Sequence, residues 1–121
     1  MPRRRQRNQD QLRAPDVEYR SADAVLVLRG AMTPKTRESY RRVASGEALA
    51  PGAAREDAWQ RSVEFLFERL AVGWAVADAE PRTRQKELLG RFRFATVEER
   101  SWIREQLRAH LAEHFPELPA P

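Results

Sequence analysis

Between Glu64 and Asp78 the chain reads EFLFERLAVGWAVAD, with apolar side chains on almost every side of the helix that this stretch suggests. A helix with one apolar stripe needs one partner, whereas a helix that is apolar all round has to be enclosed. The pattern predicts a long central helix over about 56–79, ended at Glu80-Pro81 because the residue before a proline is pushed out of the helical region. At about 100° per residue, Trp59, Val63, Leu66, Leu70 and Trp74 line up as a core stripe widened by Phe67, opposite Arg61, Glu64 and Glu68. Phe65, Val72 and Val76 fall behind it, spaced by seven and by four, and form a second seam that needs a second partner.

Three readings of that seam stand side by side. It packs against the protein's own early helices, or it is a contact surface for a protein partner or a second copy. The third, a cofactor pocket, needs converging polar groups that the pattern lacks, so no cofactor is expected. A bilayer is a poor partner, because the stretch carries Glu64, Glu68, Arg69 and Asp78. No run of about eighteen apolar residues occurs anywhere in the chain, and no membrane association is expected.

A chain of 121 residues is the size of one domain. Leu, Ile, Val and Phe number 25, and sixteen of them lie between Val63 and Phe115, so most of the core is expected in the C-terminal half. Cysteine is absent, and no apolar segment follows the N-terminal arginines as a secretory signal would require. A cytoplasmic location is the expectation.

The formal net charge of +4 is accounted for by residues 1–13 alone, where Arg3, Arg4, Arg5, Arg7 and Arg13 face only Asp10. Residues 1–15 are expected to be a disordered basic arm, able to attract nucleic acid or an acidic partner. A second basic segment, RTRQKELLGRFRF, holds Arg82, Arg84, Lys86, Arg91 and Arg93 with Phe92 and Phe94 interleaved. Arginines grip phosphates and aromatics stack on unpaired bases, which makes these residues nucleic-acid candidates. Leu88, Leu89 and Phe92 nevertheless have core spacing, so a solvated basic face explains the segment as well. Arg supplies 20 of the 22 basic residues, a bias that suits phosphate-binding forks and GC-rich coding alike.

Local signals divide the rest. For 17–29 there are two readings: a short helix capped by Ser21 and closed by Gly30, or a hairpin of VEYR and AVLVLR. The helix is preferred because an isolated hairpin needs further strands, and no later segment reads as one. Thr33, Pro34 and Gly46 mark a helix of about 34–44, and a Gly- and Pro-containing linker is expected at about 45–55. A further helix is expected over about 82–92. Thr96-Val97-Glu98-Glu99 has the form of a capping box and opens a last helix running to about His114. The expected fold is therefore all-α, a bundle of four to five helices spanning 16–115, followed by a Pro-rich tail at 116–121. The alternative is α+β with a hairpin at 17–29. The expected core is Trp59, Leu66, Leu70, Trp74, Leu88, Phe92, Ile103, Leu107 and Leu111.

Reaction chemistry finds little support. His110-Leu111-Ala112-Glu113-His114 has the H-x-x-E-H spacing of an inverted zinc-protease motif, but the chain contains no other His to complete a ligand set, and no metal site is expected. No nucleophile elbow or phosphate-cradling glycine loop is present. The expectation is a non-catalytic helical adaptor working through Phe65, Val72 and Val76. A self-associating assembly protein is the alternative, and a DNA-binding regulator the third.

Overall fold

The computed structural model describes residues 14–46, 55–77 and 80–121. Arg3, Arg4, Arg5, Arg7 and Arg13 of the arm, and most of the expected linker at 45–55, lie outside the described residues. The order of elements is β1 (Val17–Arg20), β2 (Ala24–Leu28), α1 (Pro34–Ser45), α2 (Arg55–Leu70), β3 (Ala71–Val76), α3 (Gln85–Arg93) and α4 (Val97–His114).

This is an α+β fold, not the expected all-α bundle, and one segment accounts for the difference. The predicted helix of 56–79 stops at Leu70, and Ala71–Val76 continues directly as a strand. Val72, Trp74 and Val76 favour extended backbone, and Gly73 costs a helix interior up to about 1 kcal/mol relative to Ala. A short apolar run is also what a largely buried strand looks like, and periodicity does not separate it from a helix. With β3 in place the hairpin has its third strand, so the alternative architecture, with strands inside 17–29, is the one that forms. The sheet is antiparallel throughout, in the order β1-β2-β3.

Ser21 does make cap-like bonds, accepting from the backbone N–H of Asp23 and Ala24 at 3.3 and 3.0 Å. They close the turn of the hairpin, a use of serine that the local sequence does not distinguish from a helix cap. In the register Tyr19 faces Leu26 and Leu26 faces Trp74, so these three share the inner face. Val72 is the extra residue of a bulge opposite the Val27–Leu28 step. The chain then returns past the free edge of β3, where Arg82 exchanges both backbone hydrogen bonds with Trp74 at 2.8 and 3.0 Å. The fourth predicted helix accordingly begins at Gln85 instead of Arg82.

The helices lie on the inner face. Phe67 is the centre of an aromatic cluster, stacked on Phe92 at 4.6 Å and edge-on to Trp74 at 5.7 Å. Leu26, Leu28, Leu66, Leu70, Ile103, Leu107 and Leu111 surround it, all fully buried or nearly so. The Trp74 side chain makes ring contacts, with Arg91 over it at 5.1 Å, while its buried Nε1 has no hydrogen-bond partner among the described residues. Trp59, expected in this core, is 43% exposed.

The caps act as the sequence predicts. Thr33 Oγ1 accepts from Thr36 N, and Gly46 closes α1 with φ 78°. Thr96 and Glu99 form both bonds of the capping box on α4. The Pro-rich tail folds back on α1: Leu118 is buried, Tyr40 donates its hydroxyl to the Pro119 carbonyl, and Arg37 pairs with Glu117 at 2.6 Å.

Candidate functional site

The N-terminal halves of α2 and α4 border a groove of about 400 Å³. From α2 it takes Trp59, Gln60, Val63 and Glu64, and from α4 Val97, Arg100, Ser101 and Arg104. The second set follows the i, i+3, i+4, i+7 spacing of one helix face. The capping box fixes where α4 begins, and so places Val97 at its first position, at the mouth of the groove. Val63 and Phe92, both buried, form the floor.

Among the described residues, three arginines and one carboxylate line this groove. Arg104 lies over the Trp59 ring at 5.0 Å and donates from Nε to the Pro121 oxygen at 3.3 Å. Arg93 reaches Glu64 at 3.4 Å, an exposed pair that water and salt weaken. Arg100 is half-buried on α4, one turn before Arg104. The balance is positive, three guanidinium groups against Glu64. Val97 is 66% exposed, and Phe94, on the turn joining α3 to α4, is 87% exposed. That turn is closed by Ala95 N–H donating to the Phe92 carbonyl at 3.0 Å. A second hollow of about 640 Å³ lies between the start of β1 and α1, lined among others by Asp16, Arg29, Met32 and Arg69.

The basic segment 82–93 does not act as one face. Arg82, Arg84 and Lys86 are exposed on the approach to α3 and its first turn. Arg91 turns inward, bonding Glu99 at 2.9 Å and covering Trp74. For Glu99, burial alone would raise the pKa, but the Thr96 backbone and hydroxyl bonds and the Arg91 charge outweigh it and hold the carboxyl below its ordinary value. Arg93 alone of the five joins the groove, where it meets Arg100 and Arg104.

The proposed seam also dissolves as a helical face, because the wheel that defined it does not extend past Leu70. Phe65 is half-buried on α2, with its ring 6.1 Å from Tyr40 and under Arg69 at 5.2 Å. Val72 sits in the bulge, and Val76 pairs with Ala24 at the strand end.

The two histidines have structural surroundings. His110 is fully buried, with Nε2 2.8 Å from the Arg29 carbonyl and Nδ1 2.7 Å from the Tyr19 hydroxyl. The carbonyl only accepts, so Nε2 carries the proton and Nδ1 accepts from Tyr19. Among the described residues no group of three or more His, Asp or Glu could hold a metal ion. No helix among them is long and apolar enough to cross a membrane.

Trp59, Phe94, Val97, Arg100 and Arg104 were not legible as a site. Their only sequence signal is the i, i+4 pair of arginines on a helix with a secure start; that α2 runs alongside is a tertiary fact. The chain matches no protein-family model, no curated protein and no solved structure.

Proposed function

We propose that this chain is a non-catalytic binding module that takes a segment of another protein into the groove between α2 and α4. One observation carries the reading: the exposed large hydrophobic residues among those described, Trp59, Phe94 and Val97, lie in the groove or on the turn beside it. Exposed apolar side chains scattered singly need no explanation, but grouped ones mark a contact surface. The arginine rim and the Arg-rich arm have the same sign, so both favour an acidic partner, with the arm adding attraction at longer range. The same charge extends the arm's reach to nucleic acid. A cysteine-free chain is suited to a cytoplasmic setting.

A photo-crosslinking amino acid at position 94, in the cells that make the protein, tests this. Discrete protein adducts are expected there, lost on Val97→Asp and absent when the crosslinker replaces exposed Glu113 on α4. Adducts only to nucleic acid, or none, would remove the reading.

A further inference from the structure

We infer that the segment occupying the groove is an acidic amphipathic helix from a different protein, with large apolar side chains inserted over Val63 and Phe92. This rests on the binding-module reading and names the chemistry of its partner.

The floor and walls set the first requirement. Val63, Phe92, Val97 and the edge of Trp59 offer apolar surface at the bottom and mouth of one concave site. Filling such a site releases water from both partners, and only an apolar side chain does this without leaving polar groups unpaired. The rim sets the second. Among the described residues, Arg93, Arg100 and Arg104 stand against one carboxylate, Glu64, and attract negative charge around that apolar centre. An apolar stripe flanked by carboxylates is the pattern of an acidic amphipathic helix. A groove between two helices accepts such a helix through anchors at i, i+3, i+4 and i+7.

Other occupants fit less well. A single-stranded nucleic acid satisfies the arginines, but it binds through flat faces on which bases stack. One face of Trp59 is already covered by Arg104, and Glu64 would meet the phosphates. The protein's own arm carries five arginines against one aspartate and is repelled by the rim. A second copy would have to bring apolar surface. Trp59, Phe94 and Val97 are the exposed large apolar residues that the described part of the chain has, and pairing them with themselves sets two arginine rims against each other.

The test is fluorescence anisotropy with the full chain and designed, labelled probes. The main probe is a helical peptide of Glu and Ala carrying Leu at i, i+3, i+4 and i+7. Its comparators replace Leu by Ala, replace Glu by Lys, or substitute an oligo-dT strand. The Leu/Glu probe is expected to bind at least about tenfold more tightly than each comparator. Val97→Asp and Phe94→Ser are expected to remove that advantage while leaving the thermal midpoint in place, since both side chains are mostly solvated. Arg100→Glu is expected to weaken the Glu probe and strengthen the Lys probe.

Dependence on the Val97 position separates the groove from non-specific attraction by the arm. The inference is overturned if no probe binds, if Val97→Asp changes nothing, or if oligo-dT binds in a Val97-dependent way. Should position 94 crosslink to a protein through a segment that is neither acidic nor helical, this inference fails while the binding-module reading stands. If no protein crosslinks there, both fail.

Discussion

The hydroxyl of Tyr19 on β1 donates to Nδ1 of His110 on α4 at 2.7 Å, its ring edge-on to the imidazole at 5.6 Å. With Nε2 bonded to the Arg29 carbonyl, the imidazole joins the last helix to β1 and to the residue that follows β2. Removing the hydroxyl leaves a buried acceptor unpaired. Tyr19→Phe is therefore expected to destabilise the fold by about 1–3 kcal/mol, read from urea denaturation. No shift in the midpoint would show that water replaces the bond freely.

The burial of the same imidazole makes stability depend on pH. Burial holds the His110 pKa below its ordinary 6.5; the Arg29 carbonyl opposes this, His114 adds to it and Glu113 opposes it. Because the unfolded chain binds the proton more readily, the contribution is fully present above about pH 6.5 and is lost as pH falls below it. The thermal midpoint should drop as pH falls below about 6.5. His110→Gln should lower the midpoint at every pH but flatten that slope; His114→Gln should keep most of it. A slope unchanged in His110→Gln assigns the effect elsewhere.

Two glycines should respond oppositely to the same substitution. At Gly30 an added Cβ would run into the Pro15 carbonyl oxygen, backbone that cannot turn aside. Gly30→Ala is expected to cost about 1–3 kcal/mol, as overpacking does. At Gly90, inside α3, nothing lies within 4 Å of the added atom, and Gly90→Ala should stabilise by up to about 1 kcal/mol through helix propensity. Equal effects in thermal unfolding would contradict the close approach at Pro15.

Thr96→Ala removes the side-chain acceptor of the capping box and is expected to cost about 1 kcal/mol. It also removes a bond that stabilises the Glu99 carboxylate, so the Glu99 pKa should rise, measurable by carboxyl-carbon NMR titration. An unmoved Glu99 would mean that the backbone N–H of residue 96 and Arg91 set its ionisation without the hydroxyl.

Carbon chemical shifts test the junction at Leu70. The Cα shifts of Ala71–Val76 should move to the extended side of their random-coil values, with cross-strand contacts from Leu26 to Trp74. Helical shifts continuing through Val76 would restore the single long helix and dissolve the sheet.

What the sequence by itself determined lies where the deciding interactions are local. Thr33-Pro34 and Gly46 bound α1, and Thr96 with Glu99 starts α4, because a cap satisfies backbone groups within one turn of itself. Ile103, Leu107 and Leu111 were legible as core for a similar reason, since their spacing repeats along one helix. The segment after Leu70 was not. Its apolar pattern suits a helix enclosed by neighbours and a largely buried strand equally, and the choice fell to β2, more than forty residues earlier in the chain. Without a strand in that segment the hairpin has no third partner, and nothing local to 17–29 favours it over a helix. Trp59 has the spacing of a core residue, yet the packing of α2 against α4 leaves it at the mouth of a groove. Periodicity tells which side chains share a face; only the placement of neighbouring elements decides whether that face is covered, and therefore where this protein has a surface with which to bind.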